Sequence, residues 1–147
     1  MYKHILVPID GSELSKHAIE HSVGLAAKLG ARITGFVAEP FAPLPSDTSG
    51  MTSYMRKTEE HRTRTEIHAQ TVLADFGAQA AAQGVAFEGH FKRTDAVDDA
   101  IVAAANEYGC DLVMMATHGR GAFGEMLFGS HTKNVMARSK LPVLVLR

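Results

Sequence analysis

The stretch MMATHGRGAFGEMLFGS, residues 114–130, follows a short apolar run with Gly119, Gly121, Gly124 and Gly129 and closes on Ser130. Glycines so spaced let backbone N–H groups approach an anion, and several known arrangements use them this way. The P-loop pattern G-x-x-x-x-G-K-[ST] finds its glycines at Gly119 and Gly124. Glu125 and Met126 then stand where the lysine and the hydroxyl belong, and a carboxylate there repels phosphate. The dinucleotide fingerprint G-x-G-x-x-G is met by letter at Gly119, Gly121 and Gly124. It belongs in the first βα unit, with an acidic residue about 20 positions on. Here it comes in the last unit, and the closing SKLPVLVLR holds no acid. What remains is Gly129-Ser130 opening a helix. The free N–H groups, the dipole and the Ser130 hydroxyl would form an anion site, with the loop from Gly119 arching over it. The same dipeptide also reads as an ordinary helix N-cap. The pattern alone leaves both readings open.

Other residues with chemical potential carry plainer readings. Asp10, in IDGS, can bind a ligand hydroxyl or simply form a turn. His17 and His21 stand at i, i+4, but no glutamate lies between them as in H-E-x-x-H and no third ligand is evident, so no metal is expected. His61, His68 and the mixed charges of RKTEEHRTRTEIH read as a solvated helix face. Cys110, just before an apolar run, reads as a packed thiol. Arg120 suits a phosphate or solvent equally. A phosphoacceptor aspartate of the receiver type is missing, because the third strand segment ends HFKRT and Asp95 already enters a helix.

These groups must be positioned by an alternation of strands and helices. HILVPI (4–9) reads as a buried strand, and Ser12 caps a helix from Glu13 that Gly30 stops. Leu14, Ala18, Ser22, Leu25 and Leu29 should form its buried face. ARITGFVA (31–38) is a second strand, followed by a long, mobile, proline-rich loop through EPFAPLPSDTSGMTS. A helix from about Tyr54 to Gln83 should bury Ala69, Val72, Leu73, Phe76 and Ala80. VAFEGHFKR (85–93) alternates like a strand near a sheet edge. A third helix carries Val97, Ala100, Ile101, Ala104, Ala105 and Tyr108 on one face and stops at Gly109. DLVMMA (111–116), a helix at 129–139 and PVLVLR (142–147) complete the chain. The order predicts a single α/β domain, residues 1–147: a parallel sheet with helices on both faces. Ligands in such sheets bind beyond the carboxyl ends of the strands, where IDGS and the glycine stretch both lie.

Composition narrows the class. At 147 residues, 46% apolar and 21% charged, the chain reads as one soluble domain with a core of its own. A net charge of −1 argues against nucleic acid as a general partner. No leader-like segment and no membrane-spanning run is legible, and the single cysteine fits a reducing compartment, so a cytoplasmic protein is expected.

YKHILVPIDGSELSKHAIEHSVGLAAKLGARITGFVA and MMATHGRGAFGEMLFGSHTKNVMARSKLPVLVLR resemble the two halves of the universal stress proteins. Nucleotide-binding members carry G-x2-G-x9-G-[ST]. Gly119, Gly129 and Ser130 fit its later positions, while Ala116 replaces the first glycine. The resemblance implies a five-stranded sheet of order 3-2-1-4-5 and a site for ATP, or AMP or ADP, with Mg2+ as an optional companion. It places Pro8, Ile9 and Asp10 at adenine and ribose, and Val37 on the adenine. Met115, Ala116, His118 and Gly119 would approach sugar and phosphates, and Gly129, Ser130, His131 and Thr132 would hold the phosphates. If position 116 requires positive φ, alanine costs about 1–2 kcal/mol; if it only passes close to the ligand, one methyl is tolerable.

The expected role is a binding and regulatory module acting as a homodimer through strand 142–147, with a protein partner that the sequence leaves unidentified. Hydrolysis needs a positioned water and charge stabilisation. No lysine clamp and no base is legible, so a slow ATPase is the rival reading, and a nucleotide-free interaction module is a third.

Overall fold

The computed structural model describes residues 1–44, 50–117 and 130–147. Its elements alternate as β1 (His4–Pro8), α1 (Glu13–Leu29), β2 (Arg32–Glu39), α2 (Met51–Ala82), β3 (Phe87–Arg93), α3 (Val97–Glu107), β4 (Leu112–Ala116), α4 (Ser130–Arg138) and β5 (Val143–Leu146). The strands form one parallel sheet of order β3-β2-β1-β4-β5, as expected. Residues 45–49 of the proline-rich segment and 118–129 of the glycine stretch lie outside the described residues.

Side chains alternate across the strands, and this builds two cores. Ile5, Val7, Ile33 and Val37 pack with Val23 of α1 and Phe76 of α2 on one face. Leu6, Phe36, Val113 and Met115 pack with Ile101 of α3 and Val135 of α4 on the other. β1 is thus covered on both sides, which explains its unbroken apolar run.

Helix α1 begins as its sequence directs. The Ser12 side chain accepts from Ser15 N, and Gly30 at φ 64° ends the helix. Its buried face is rotated from the expected one: Ser15, Ala18, Ile19, Ser22, Val23 and Ala26 are buried, while Leu14, Leu25 and Leu29 flank them. Steps of four residues overshoot a 3.6-residue turn, so a row drawn at i+4 drifts off the contact. Helix α2 starts at Met51, earlier than expected, and buries Ala69, Phe76 and Ala80 in its second half. Phe76 meets Phe87 of edge strand β3 with centroids 4.7 Å apart. His61 is not solvated as expected, since its Nε2 is buried without a hydrogen bond among the described residues.

At the amino end of the sheet, Asp111 accepts from Lys3 N at 2.8 Å and His4 N at 3.0 Å, stapling β1 to the start of β4. His4 Nε2 lies 2.7 Å from Thr34 Oγ1, and Cys110 is buried beside Thr34. Burial pushes the Cys110 thiol up to about 11, consistent with a packed, unreactive sulfur.

Candidate functional site

The carboxyl ends of β1, β2 and β4 open into a cavity of about 560 Å³, within the range of roughly 300–1,000 Å³ typical of small-molecule sites. Its position follows from topology. β1 leads on to β2 on one side and β4 to β5 on the other, so the strand order reverses between β1 and β4, where a crevice forms. Pro8, Ile9, Phe36, Ala38, Met115 and Ala116 supply an apolar floor, with walls from Leu14 and Ala18 of α1 and Val97 and Ile101 of α3.

One end of the cavity is a fixed carboxylate. Asp10 N donates to Ser15 Oγ at 2.7 Å, and Ser15 Oγ donates to Asp10 Oδ1 at 2.6 Å. Ser12 N donates to the same Oδ1 at 2.9 Å. Both bonds fall on Oδ1, so Oδ2 is the oxygen with capacity for a ligand hydroxyl. Burial pushes the Asp10 carboxyl upward, but hydrogen bonds from Ser12 and Ser15 outweigh it and hold the group below its ordinary value. Asp10 is therefore ionised at neutral pH. From the α2 side, His68 Nε2 donates to the Asp10 carbonyl at 2.9 Å, so this ring is engaged rather than simply solvated.

The other end is the start of α4. Its first turn carries Ser130, His131 and Thr132, and His131 and Thr132 line the cavity. Unpaired N–H groups and the helix dipole favour an anion there. His131 Nδ1 lies 2.5 Å from Asp98 Oδ1, and Asn134 donates to Asp98 Oδ2 at 2.8 Å. The Asp98 oxygen accepts, which places a ring hydrogen on Nδ1, and Nε2 has no hydrogen-bond partner among the described residues. A neighbouring pair, Arg138 with Asp99, also ties α4 to α3. An apolar floor, a carboxylate and a helix start are the partners that a flat ring, a polyol and an anion require.

The structure brings together Pro8, Ile9, Asp10, Met115, Ala116, His131 and Thr132 at this cavity. Ser130 opens α4 beside them and is exposed. Val37 is not brought there: its side chain is buried in the core with α1 and α2. A one-residue step along a strand reverses the face, so Phe36 and Ala38 line the cavity instead. Ala38, Leu14, Ser15, Val97 and Ile101 are lining residues that the sequence reading missed. Strand alternation would have signalled Ala38; the helical residues required tertiary packing. Ala116 ends β4 in register with Leu146, and no described residue other than glycine has positive φ. The alanine therefore carries no left-handed strain. His118, Gly119 and Gly129 lie outside the described residues.

Among the described residues, no group of three or more His, Cys, Asp or Glu could hold a metal ion. The His17 and His21 rings stack on each other at 4.3 Å. Nor is any described helix long and apolar enough to cross a membrane.

The model of the universal stress protein family matches residues 1–147. A universal stress protein of Thermus aquaticus is 33% identical over 147 residues, covering 100% of both chains. Among solved structures, universal stress protein UspA from Lactobacillus plantarum superposes with a TM-score of 0.81 at 19% identity, covering 99% of this chain and 98% of that one. A universal stress protein in complex with cAMP matches with a TM-score of 0.69 at 24% identity, over 99% and 97% of the two chains. One from Archaeoglobus fulgidus in complex with dAMP matches with a TM-score of 0.65 at 19% identity, over 99% and 98%.

Proposed function

The chain belongs to the universal stress protein family, and on that premise we propose that it binds an adenine nucleotide, ATP or its mono- or diphosphate, in the cavity above β1. The observation that carries the reading is the lining of that cavity, which combines an apolar floor, ionised Asp10 and the first turn of α4. Adenine would rest on the floor near Ala38 and Met115, the ribose hydroxyls on Asp10, and the phosphates at Ser130–Thr132. The family members solved with cAMP and dAMP support an adenine nucleotide as the ligand class. Mg2+ would ride on the phosphates, because the described residues offer no cluster for it.

The role we assign is regulatory. Nucleotide occupancy would set how a cytoplasmic homodimer, joined through β5, meets a protein partner. Mass spectrometry of the ligand released from freshly purified, denatured protein tests the reading, and adenine nucleotide is the expected result. Absence of nucleotide there, with no binding of added ATP, ADP or AMP by calorimetry, would overturn it.

One observation favours a second reading, slow hydrolysis of the triphosphate. His131 is an imidazole oriented by a carboxylate and facing the cavity, the arrangement of a general base. A turnover assay comparing the unmodified protein with His131→Ala separates this reading from simple binding.

A further inference from the structure

We propose that His68, on α2, is a positioning residue for Asp10 and sets the preference of the site for ribose hydroxyls; this rests on the nucleotide reading above.

The β1–α1 turn holds Asp10 by its own residues at two atoms. Ser15 Oγ takes its N–H, and Ser12 N and Ser15 Oγ satisfy Oδ1. The Asp10 carbonyl is held from a different element, by His68 Nε2 at 2.9 Å and 58 positions away in sequence. A carbonyl oxygen only accepts, so Nε2 carries the hydrogen.

That bond falls at the one peptide in the turn whose orientation is easily reversed. The next residue, Gly11, stands at φ +84°, and glycine tolerates both signs of φ. Rotation of the Asp10–Gly11 peptide would swing the carbonyl away from His68 and release the turn from α2, so that Asp10 could shift with the turn relative to the cavity. The His68 hydrogen bond selects one orientation. The ring also lies directly on the glycine: a Cβ at Gly11 would come 2.7 Å from His68 Cε1 and Nε2. Space at Gly11 and the donor at His68 are thus one arrangement. Its product is a fixed Oδ2, and only the ribose end of a nucleotide meets that atom. Removing the donor should therefore cost affinity that depends on ribose hydroxyls and leave adenine and phosphate contacts alone.

The test is calorimetric titration of ATP and 2′,3′-dideoxy-ATP into the unmodified protein, His68→Gln and His68→Leu, with thermal unfolding to confirm that each variant is folded. His68 lies on the exposed side of α2, so the fold should survive both changes. The Gln amide can still donate to the carbonyl; Leu cannot. The expected result is that His68→Gln keeps the preference for ATP over the dideoxy analogue. His68→Leu should lose about threefold to tenfold in ATP affinity, the scale of one neutral hydrogen bond, with little change for the analogue. An unchanged preference in His68→Leu would overturn the proposal. So would a His68→Gln protein as impaired as His68→Leu, which would assign the effect to ring packing. Failure of the unmodified protein to bind either nucleotide would instead overturn the nucleotide reading, and this proposal with it.

Discussion

Asp98 Oδ1 lies 2.5 Å from His131 Nδ1, joining the first turn of α3 to the first turn of α4. The two residues are 33 positions apart, and Asn134 binds the other Asp98 oxygen. Asp98 is therefore engaged through both oxygens, and the imidazole is held beside the cavity at the start of α4. The His131 side chain is 64% exposed, so the pair adds little to overall stability. Its effect falls on ligand geometry. Asp98→Ala is expected to weaken ATP about threefold to tenfold, the scale of one hydrogen bond, and to leave adenosine unchanged. Calorimetry with both ligands decides. Equal losses for the two would mean that Asp98 supports the whole cavity and has no special bearing on phosphates.

Asp10 makes the complementary prediction at the other end. Its hydrogen bonds keep it ionised, so it offers a charged acceptor to neutral hydroxyls. Asp10→Ala should weaken ATP by roughly 1–3 kcal/mol, the range for hydrogen bonds to charged groups. The 2′,3′-dideoxy analogue should lose much less. If both ligands lose the same, Asp10 does not read the ribose.

The contrast between these residues shows what a sequence can reveal. Asp10, Ser12 and Gly30 were legible because their roles are local: a turn, a cap and a stop, each set within a few residues. The parallel sheet followed from the alternation of strands and helices, and its strand order from the family resemblance. Val37 falls one residue from the cavity lining: it shares a face of β2 with Ile33, while Phe36 and Ala38 share the other, and large apolar side chains stand on both. The partnerships Asp98–His131 and His68–Asp10 had no local signal at all. They join elements distant in sequence and exist only once α2, α3 and α4 have packed.

His4 predicts a pH dependence of stability. It is buried, with Nε2 on Thr34 and Nδ1 against the Gly109 backbone without a well-formed hydrogen bond. Burial and the Arg32 charge hold its pKa below the ordinary 6.5, while Asp111 and Glu88 oppose them more weakly. As pH falls through that value the unfolded chain takes up a proton before the folded chain does. The stability contribution is thus fully present above 6.5 and is lost as pH falls toward the folded value. Urea unfolding at about pH 7.5 and about pH 5 should show a larger loss for the unmodified protein than for His4→Gln. Asp10 and Asp111, depressed from 3.8, act in a lower window. Equal losses in the two proteins would clear His4 of this role.

The last prediction concerns β5, whose free edge bears on the proposed homodimer. Among the described residues it pairs with β4 on one side only, through Val113↔Val143, Met114↔Leu144, Met115↔Val145 and Ala116↔Leu146. Every residue from Val143 to Leu146 is apolar, yet Leu144 is 38% exposed and the others are only half-buried within one chain. An apolar edge with unpaired N–H and C=O groups invites pairing with another chain, and no charge within the strand opposes it. A two-fold axis satisfies such an edge, because antiparallel pairing with a second copy is self-complementary. Light scattering on dilute protein should then report twice the chain mass of 15.8 kDa. Leu144→Lys is the sharper variant, since Val143 also packs on the α3–α4 core and its loss would disturb the fold itself. A lysine at 144 should give folded monomer with its thermal transition retained, whereas Val143→Lys with Val145→Lys should give monomer or insoluble protein. Monomeric unmodified protein at micromolar concentration, or a Leu144→Lys protein that remains a dimer, would defeat the β5 interface.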